Sequence, residues 1–247
     1  MMTLAVDIGN TNICFCLFMN KKIFHVKYLK SSKKLKQKEL NQILLYFQNK
    51  HYNFSNVIIC SVVPEIETLF LSFFKKKNYK IIFVNEILSN LNIKTEILRK
   101  REIGADRLVN VNYCLKKFKV PFLIIDLGTA TTFDFVNEKR VYEGGLILPG
   151  IETSLKSLEK NTSKLPYVSF KKTKKLISNT TEGAISSGFY WGYVLMINAL
   201  IKEIRKEKKR KFKVILTGGF SEHFQNLSSE YIIDKYLTMK GLFLLNA

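Results

Sequence analysis

Asp7-Ile8-Gly9-Asn10-Thr11 and Asp126-Leu127-Gly128-Thr129 repeat one uncommon order of residue types about half a chain apart. The first follows the apolar run Leu4-Ala5-Val6, the second Phe122-Leu123-Ile124-Ile125, and a further apolar stretch comes directly after each. A carboxylate delivered at the end of a strand can hold a cation or its water. The following Gly admits positive φ and lets a ligand approach the backbone. Successive turn N–H groups can form an anion-binding nest, and the Thr hydroxyl adds a hydrogen bond to a phosphate. One such turn arises easily by chance. Two in matching contexts point to a nucleoside triphosphate clamped between two related halves.

A third segment, Gly104-Ala105-Asp106-Arg107, lies between the two turns at the start of a connecting helix. Asp at a helix N-terminus is favoured by the dipole, which tends to keep it ionised. Asp106 could simply cap that helix, with Arg107 a solvated charge. Its place between two phosphate turns favours catalysis. Asp134, on the strand just past the second turn, could be catalytic, but its place there favours a structural hydrogen-bonding partner. Gly144-Gly145 and Pro149-Gly150 could shape a pocket or merely turn the chain. Thr217-Gly218-Gly219 could lie against a nucleoside or form a tight strand-to-helix turn. Gly183, Gly188 and Gly192 weaken a helix unless close packing offsets them, so a helix–helix contact is expected there.

The elements that must position these residues follow from periodicity. Residues 3–30 read as three strands, Leu4–Asp7, Ile13–Met19 and Ile23–Lys30. Leu40, Ile43, Leu44 and Phe47 repeat at helical spacing. Val57–Val63 is an apolar strand. Pro64 suits a first helical turn, and Ile66, Leu69, Phe70, Phe73 and Phe74 make the apolar stripe behind it. Lys80–Val84 is another strand. The second half begins alike, with strands Pro121–Asp126, Thr131–Val136 and Arg140–Leu148. A helix follows from about Gly150, a long helix from about Thr181, and a strand over Phe212–Leu216. Residues 105–118 form the connecting helix. The repeated order predicts a duplicated α/β domain with mixed sheets, divided as 1–118 and 119–247.

Bulk properties narrow the partners. With 247 residues, 47% of them hydrophobic, the chain can bury a substantial core. The net charge of +20 invites a nucleic-acid reading. Yet the lysines are spread throughout, and Lys33-Lys34, Lys75-Lys76-Lys77, Lys171-Lys172 and Lys206 to Lys213 fall at element ends or loops, without interleaved stacking aromatics. No specific nucleic-acid partner is expected, although the field would attract anionic substrates. Cys14, Cys16, Cys60 and Cys114 show neither a disulfide framework nor a zinc spacing. His25, His51 and His223 are scattered away from any candidate nucleophile. Gly188–Ile201 is the longest apolar candidate, too short to span a bilayer. With no leader-like stretch at the start, a cytoplasmic protein without a membrane partner is expected.

Taken in order, Asp7-Ile8-Gly9-Asn10-Thr11, Gly104-Ala105-Asp106-Arg107, Asp126-Leu127-Gly128-Thr129-Ala130-Thr131, Gly144-Gly145 with Pro149-Gly150, and Thr217-Gly218-Gly219 resemble the type III pantothenate kinases. That family belongs to the acetate-kinase, sugar-kinase, Hsp70 and actin superfamily. The resemblance covers residues 4 to about 220. It implies duplicated ribonuclease H-like domains, mixed sheets flanked by helices, and a cleft between the domains. It also implies ATP-dependent phosphorylation of pantothenate to 4′-phosphopantothenate, the first step of coenzyme A biosynthesis.

Residue by residue, the resemblance implies an ATP phosphate loop over Asp7, Ile8, Gly9, Asn10, Thr11, Asn12, Ile13 and Cys14, with Thr129 touching ATP from the second turn. It implies that Asp126 holds a monovalent cation, potassium or ammonium, and that magnesium enters with ATP. Gly104, Ala105, Asp106, Arg107 and Thr181 fall where the family contacts pantothenate, with Asp106 as proton acceptor. It implies a homodimer. One position departs from the family: between Leu91 and Glu102 there is no Tyr, and Ile97 stands near where that aromatic is expected. The alternative is a regulatory or accessory protein that keeps the nucleotide fold without kinase activity.

Overall fold

A computed structural model describes residues 2–245. In chain order the elements are β1 (Met2–Ile8), β2 (Asn12–Met19), β3 (Lys22–Lys30), α1 (Gln37–Gln48), β4 (Asn56–Ser61), α2 (Pro64–Lys76), β5 (Lys80–Phe83) and the single turn α3 (Val84–Ile87). Then come α4 (Ala105–Lys117), β6 (Phe122–Leu127), β7 (Ala130–Val136), β8 (Tyr142–Pro149), α5 (Ile151–Lys160), α6 (Thr181–Lys208), β9 (Lys213–Thr217), β10 (Ile232–Ile233) and α7 (Leu237–Leu245). The chain divides into two compact units. One holds β1 to β5 with α1 to α4 and the returning C-terminal α7; the other holds β6 to β10, α5 and α6, together with the short segment Lys94–Ile97.

In the first unit the sheet runs β3-β2-β1-β4-β5, antiparallel through β1 and parallel from β1 to β5. Side chains alternate faces along each strand. Leu4, Val6, Ile8, Ile13, Phe15, Leu17, Val57 and Ile59 all enter one core with Leu40, Leu44 and Phe47 of α1 and Ile66, Phe70, Phe73 and Phe74 of α2. The opposite face carries Thr3, Ala5, Cys16, Phe18 and Cys60. Helix α7 packs against β1, β4 and α4. Phe243 of α7 stacks on Phe18 at 4.5 Å between ring centres. Gly241 allows this approach, since an added Cβ would lie 2.6 Å from Val109 Cγ1 of α4.

The second unit repeats the plan. Its sheet runs β8-β7-β6-β9-β10, again antiparallel over the first three strands and parallel over the rest. Leu123, Ile125, Leu127, Phe133, Phe135, Val214 and Leu216 form the core face against Ile151 and Leu155 of α5 and Tyr190, Val194, Ile197 and Ile201 of α6. Helix α6 has 28 residues and is long and apolar enough by composition to cross a bilayer. The apolar stretch therefore belongs to a longer helix than Gly188–Ile201. Of that apolar window 39% is buried within the unit. Ala184, Gly188, Gly192, Leu195 and Ala199 lie on its exposed side.

Three elements have no counterpart in the sequence reading, α3, β10 and α7. Gly144-Gly145 is neither a turn nor a loop but the interior of β8, opposite Phe135 and Asp134 and beside the register shift between Phe135 and Val136. An added Cβ on Gly145 would stand 1.5 Å from the Phe133 carbonyl oxygen, and Gly144 has φ +120°. These glycines let β8 press closely on β7.

Candidate functional site

In the first unit, the β1–β2 turn is built from strand ends whose apolar side chains are sunk in the core. Ile8 and Ile13 are fully buried, so only their backbone is available to a ligand. The Gly9 N–H donates to the Asn12 carbonyl at 3.1 Å, and an added Cβ on Gly9 would meet that oxygen at 3.0 Å. Asn10 and Asn12 are exposed and Thr11 half-buried, which leaves the tip of the turn open. Asp7 is paired across the sheet with Cys14 on β2 and Cys60 on β4, so all three side chains leave the same face.

Asp106 sits in the first turn of α4. Its Oδ1 accepts the Arg107 N–H at 2.8 Å, and the Gly104 carbonyl accepts the Leu108 N–H at 3.2 Å. An added Cβ on Gly104 would lie 2.5 Å from Asp106 Oδ1; glycine is what allows the carboxylate to fold back over the helix start. Asp106 both closes the helix end and stays half-exposed. Cys60 ties it to the turn. That thiol is buried, and burial pushes its ionisation well above the ordinary value; the nearby carboxylates of Asp7, Asp106 and Glu67 push it further. Acids from three segments, Asp7, Glu67 and Asp106, thus lie near enough to one buried thiol to act on it.

In the second unit, the β6–β7 turn is closed by the Gly128 N–H donating to the Ala130 carbonyl at 3.1 Å. Thr129 is exposed at its tip. Its carbonyl accepts the Gly150 N–H at 3.0 Å and the Thr153 hydroxyl at 2.7 Å. An added Cβ on Gly150 would stand 2.3 Å from both the Gly128 and Thr129 oxygens. Pro149-Gly150 therefore braces this turn from behind. Asp126 Oδ1 is flanked by two glycines: an added Cβ would come within 3.3 Å of it at Gly128 and within 2.4 Å at Gly218, whose φ is +88°. Thr217-Gly218-Gly219 is thus a strand-to-helix turn wrapped around Asp126, followed by a 3-10 turn at Ser221–Phe224.

Asp134 is buried and accepts the Tyr142 hydroxyl and, at 3.2 Å, the Thr132 hydroxyl. It has the structural role expected of it. Thr181 opens α6 and is exposed. The cap is Thr180, whose hydroxyl accepts the Gly183 N–H at 3.2 Å. Ile97 stands against Gly144, 3.7 Å from the Cβ that Gly144 lacks. A separate cavity of about 560 Å³ lies between α5 and α6, lined by Leu148, Leu158, Gly188, Phe189, Gly192 and Met196. Its apolar wall suits side chains rather than phosphate.

Sequence reasoning missed Cys60, Thr132 and Thr217 as neighbours of the acids. The available signal was positional: each lies level with an acid only once strand register is known.

The family model for type III pantothenate kinase matches residues 3–203. The type III pantothenate kinase of Pelagibacter ubique (strain HTCC1062) is 39% identical over 243 residues, covering 98% of this chain and 97% of its own. That of Persephonella marina (strain DSM 14350 / EX-H1) is 38% identical over 248 residues, covering 98% and 97%. Among solved structures, the activator of the 2-hydroxyisocaproyl-CoA dehydratase from Clostridium difficile, with bound ADPNP, superposes with a TM-score of 0.53 at 13% identity, covering 100% of this chain and 95% of its own. That likeness shows the fold, which is the actin, Hsp70 and sugar-kinase architecture.

Proposed function

The chain belongs to the type III pantothenate kinases, and from that premise we propose how its residues divide the work of phosphorylating pantothenate with ATP in coenzyme A biosynthesis. Phosphoryl transfer needs positioning and charge stabilisation more than covalent help. The primary hydroxyl of pantothenate attacks the γ-phosphorus, the bond to the β–γ bridging oxygen breaks, and the hydroxyl proton leaves to a base. Asp106 is that base. Gly104, Ala105, Arg107 and Thr181 contact pantothenate; the permanent charge of Arg107 suits the substrate carboxylate or a phosphate. The loop from Asp7 to Cys14 takes the ATP phosphates at its open tip, and Thr129 adds a hydroxyl contact.

The observation that carries this reading is that Asp7, level with Cys60 across the sheet, and Asp106, at the start of α4, both lie near enough to act on the Cys60 thiol within one unit. A phosphate turn and a candidate base belong together in a kinase and have no reason to meet in a plain helix cap. Among the described residues no three His, Cys, Asp or Glu side chains stand where they could share a metal ion. Magnesium enters with ATP and keeps several waters. The Asp126 carboxylate, kept clear by Gly128 and Gly218, fits a monovalent cation, which when bound supplies positive charge near the phosphates.

The duplication is read over 1–118 and 119–247, except that α7 returns to the first unit and Lys94–Ile97 joins the second. A cytoplasmic homodimer completes the proposal, with the exposed stripe of α6 and the neighbouring apolar cavity as the contact surface; Gly188 and Gly192 have open space where a Cβ would stand. A regulatory protein without activity is not favoured, since both relatives above are kinases by name over nearly the whole chain. The test is a coupled ADP-release assay. Turnover is expected only with pantothenate present, and stimulated by potassium or ammonium. Turnover indifferent to pantothenate overturns the reading.

A further inference from the structure

Thr132 on β7, Asp126 on β6 and Thr217 on β9 are direct register partners. Their side chains therefore leave the same face of three adjacent strands, spaced about 4.8 Å apart. Two features of this row ask for a ligand. The Thr217 hydroxyl is 1% exposed and has no hydrogen-bond partner among the described residues, an arrangement that native structures rarely tolerate. The Thr132 hydroxyl gives its proton to Asp134 Oδ2, and the Tyr142 hydroxyl occupies Asp134 Oδ1. A hydroxyl whose proton is committed offers only lone pairs elsewhere. The ground beside Asp126 is thus lined by a carboxylate, an oxygen that can only accept and a buried oxygen without a partner.

Such a set repels phosphate and attracts a cation. A single carboxylate with neutral hydroxyl oxygens carries little charge and no rigid octahedron, which is poor for magnesium and suited to potassium or ammonium. We infer that Thr217 and Thr132 supply hydroxyl oxygens to the monovalent cation at Asp126, and that Asp134 and Tyr142 are positioning residues that hold Thr132 in its accepting orientation. The inference rests on the proposed cation role of Asp126.

The experiment is thermal melting of the full chain without nucleotide. Potassium chloride is titrated against choline chloride at constant ionic strength, with thallium(I) NMR as a second measure of occupancy. Thr217→Val removes the hydroxyl and keeps the shape; its potassium midpoint should rise roughly 10-fold, the scale seen when a metal site loses a supporting group. Thr217→Ser should restore it. If Thr217→Val keeps the unchanged chain's midpoint while Asp126→Asn loses all potassium response, the Thr217 role is overturned and the Asp126 reading stands. An Asp126→Asn protein that still responds normally overturns both. Should Thr217→Val fail to fold, crystals of the unchanged chain soaked in thallium(I) decide. An anomalous peak at Asp126 with the Thr217 oxygen among its neighbours supports the inference, and a peak without that oxygen overturns it.

Discussion

At the scale of single residues, the site depends on carboxylates placed by glycines. Asp106→Asn keeps the shape of the helix start and removes the proposed proton acceptor. Turnover should fall roughly 10²–10⁴-fold, the usual worth of a general base, with little change in the ATP concentration needed for half-saturation. A near-normal rate in the coupled assay would remove Asp106 from the role. Gly104→Ala tests the placement itself. Its Cβ would meet Asp106 Oδ1 at 2.5 Å, so the carboxylate must move. Kcat should drop while the melting temperature changes only slightly, because the contact is with the mobile end of a side chain rather than with backbone. The acids were legible from sequence because each has a glycine two residues away, after Asp7 and Asp126 and before Asp106. Thr132 and Thr217 were not legible as partners of Asp126, because what joins them is register between strands far apart in sequence. Asp134 was correctly read as structural from its place alone, although nothing in the sequence named Tyr142 as its donor.

At the scale of elements, the strands and long helices were readable from period, and the failures are physical in kind. Strand β10 is two residues long, below any periodic signal. Helix α7, Leu-Thr-Met-Lys-Gly-Leu-Phe-Leu-Leu, is apolar almost all round, so no amphipathic stripe marks it; what stabilises it is long-range packing on α4, β1 and β4. Gly241→Val should therefore destabilise the chain by about 1–3 kcal/mol, the cost of forcing side-chain volume into a packed contact, measured by urea unfolding. The end of α6 offers a pH test. Burial would raise the Glu143 carboxyl, yet hydrogen bonds from Lys208 and Asn137 and the charges of Lys208 and Arg210 hold it below its ordinary 4.5. Lys208 is raised above 10.5 by its bonds to Glu143 and Glu207. A lowered carboxyl stabilises above its unfolded pKa and loses that stability as pH falls through the folded one. A raised amine stabilises below its unfolded pKa and loses it as pH rises through the folded one. Glu143→Gln should thus cost about 1 kcal/mol near neutrality, the upper range for a partly exposed pair. In the melting temperature, the gap to the unchanged chain should close as the medium is acidified below the carboxyl range.

At the scale of the whole molecule, the charge of +20 and the apolar face of α6 pull association in opposite directions. Two copies meeting through Leu195, Gly188 and Gly192 bring together two strongly positive bodies, and like charge opposes compact assembly. The screening length shrinks from about 30 Å at 0.01 M salt to about 8 Å at 0.15 M, so added salt should tighten a dimer held by apolar contact. ATP binding has the reverse sign, because an anion drawn by a positive field loses that attraction as the field is screened. Sedimentation in choline chloride separates both effects from any specific action of potassium. The expected outcome is a dimer whose dissociation constant falls with salt while the ATP dissociation constant rises. Leu195→Glu should yield a monomer at every salt concentration, since it buries an unpaired carboxylate in the contact. A dimer that weakens with salt, or that survives Leu195→Glu, would place the contact elsewhere and free the α6 face for another role.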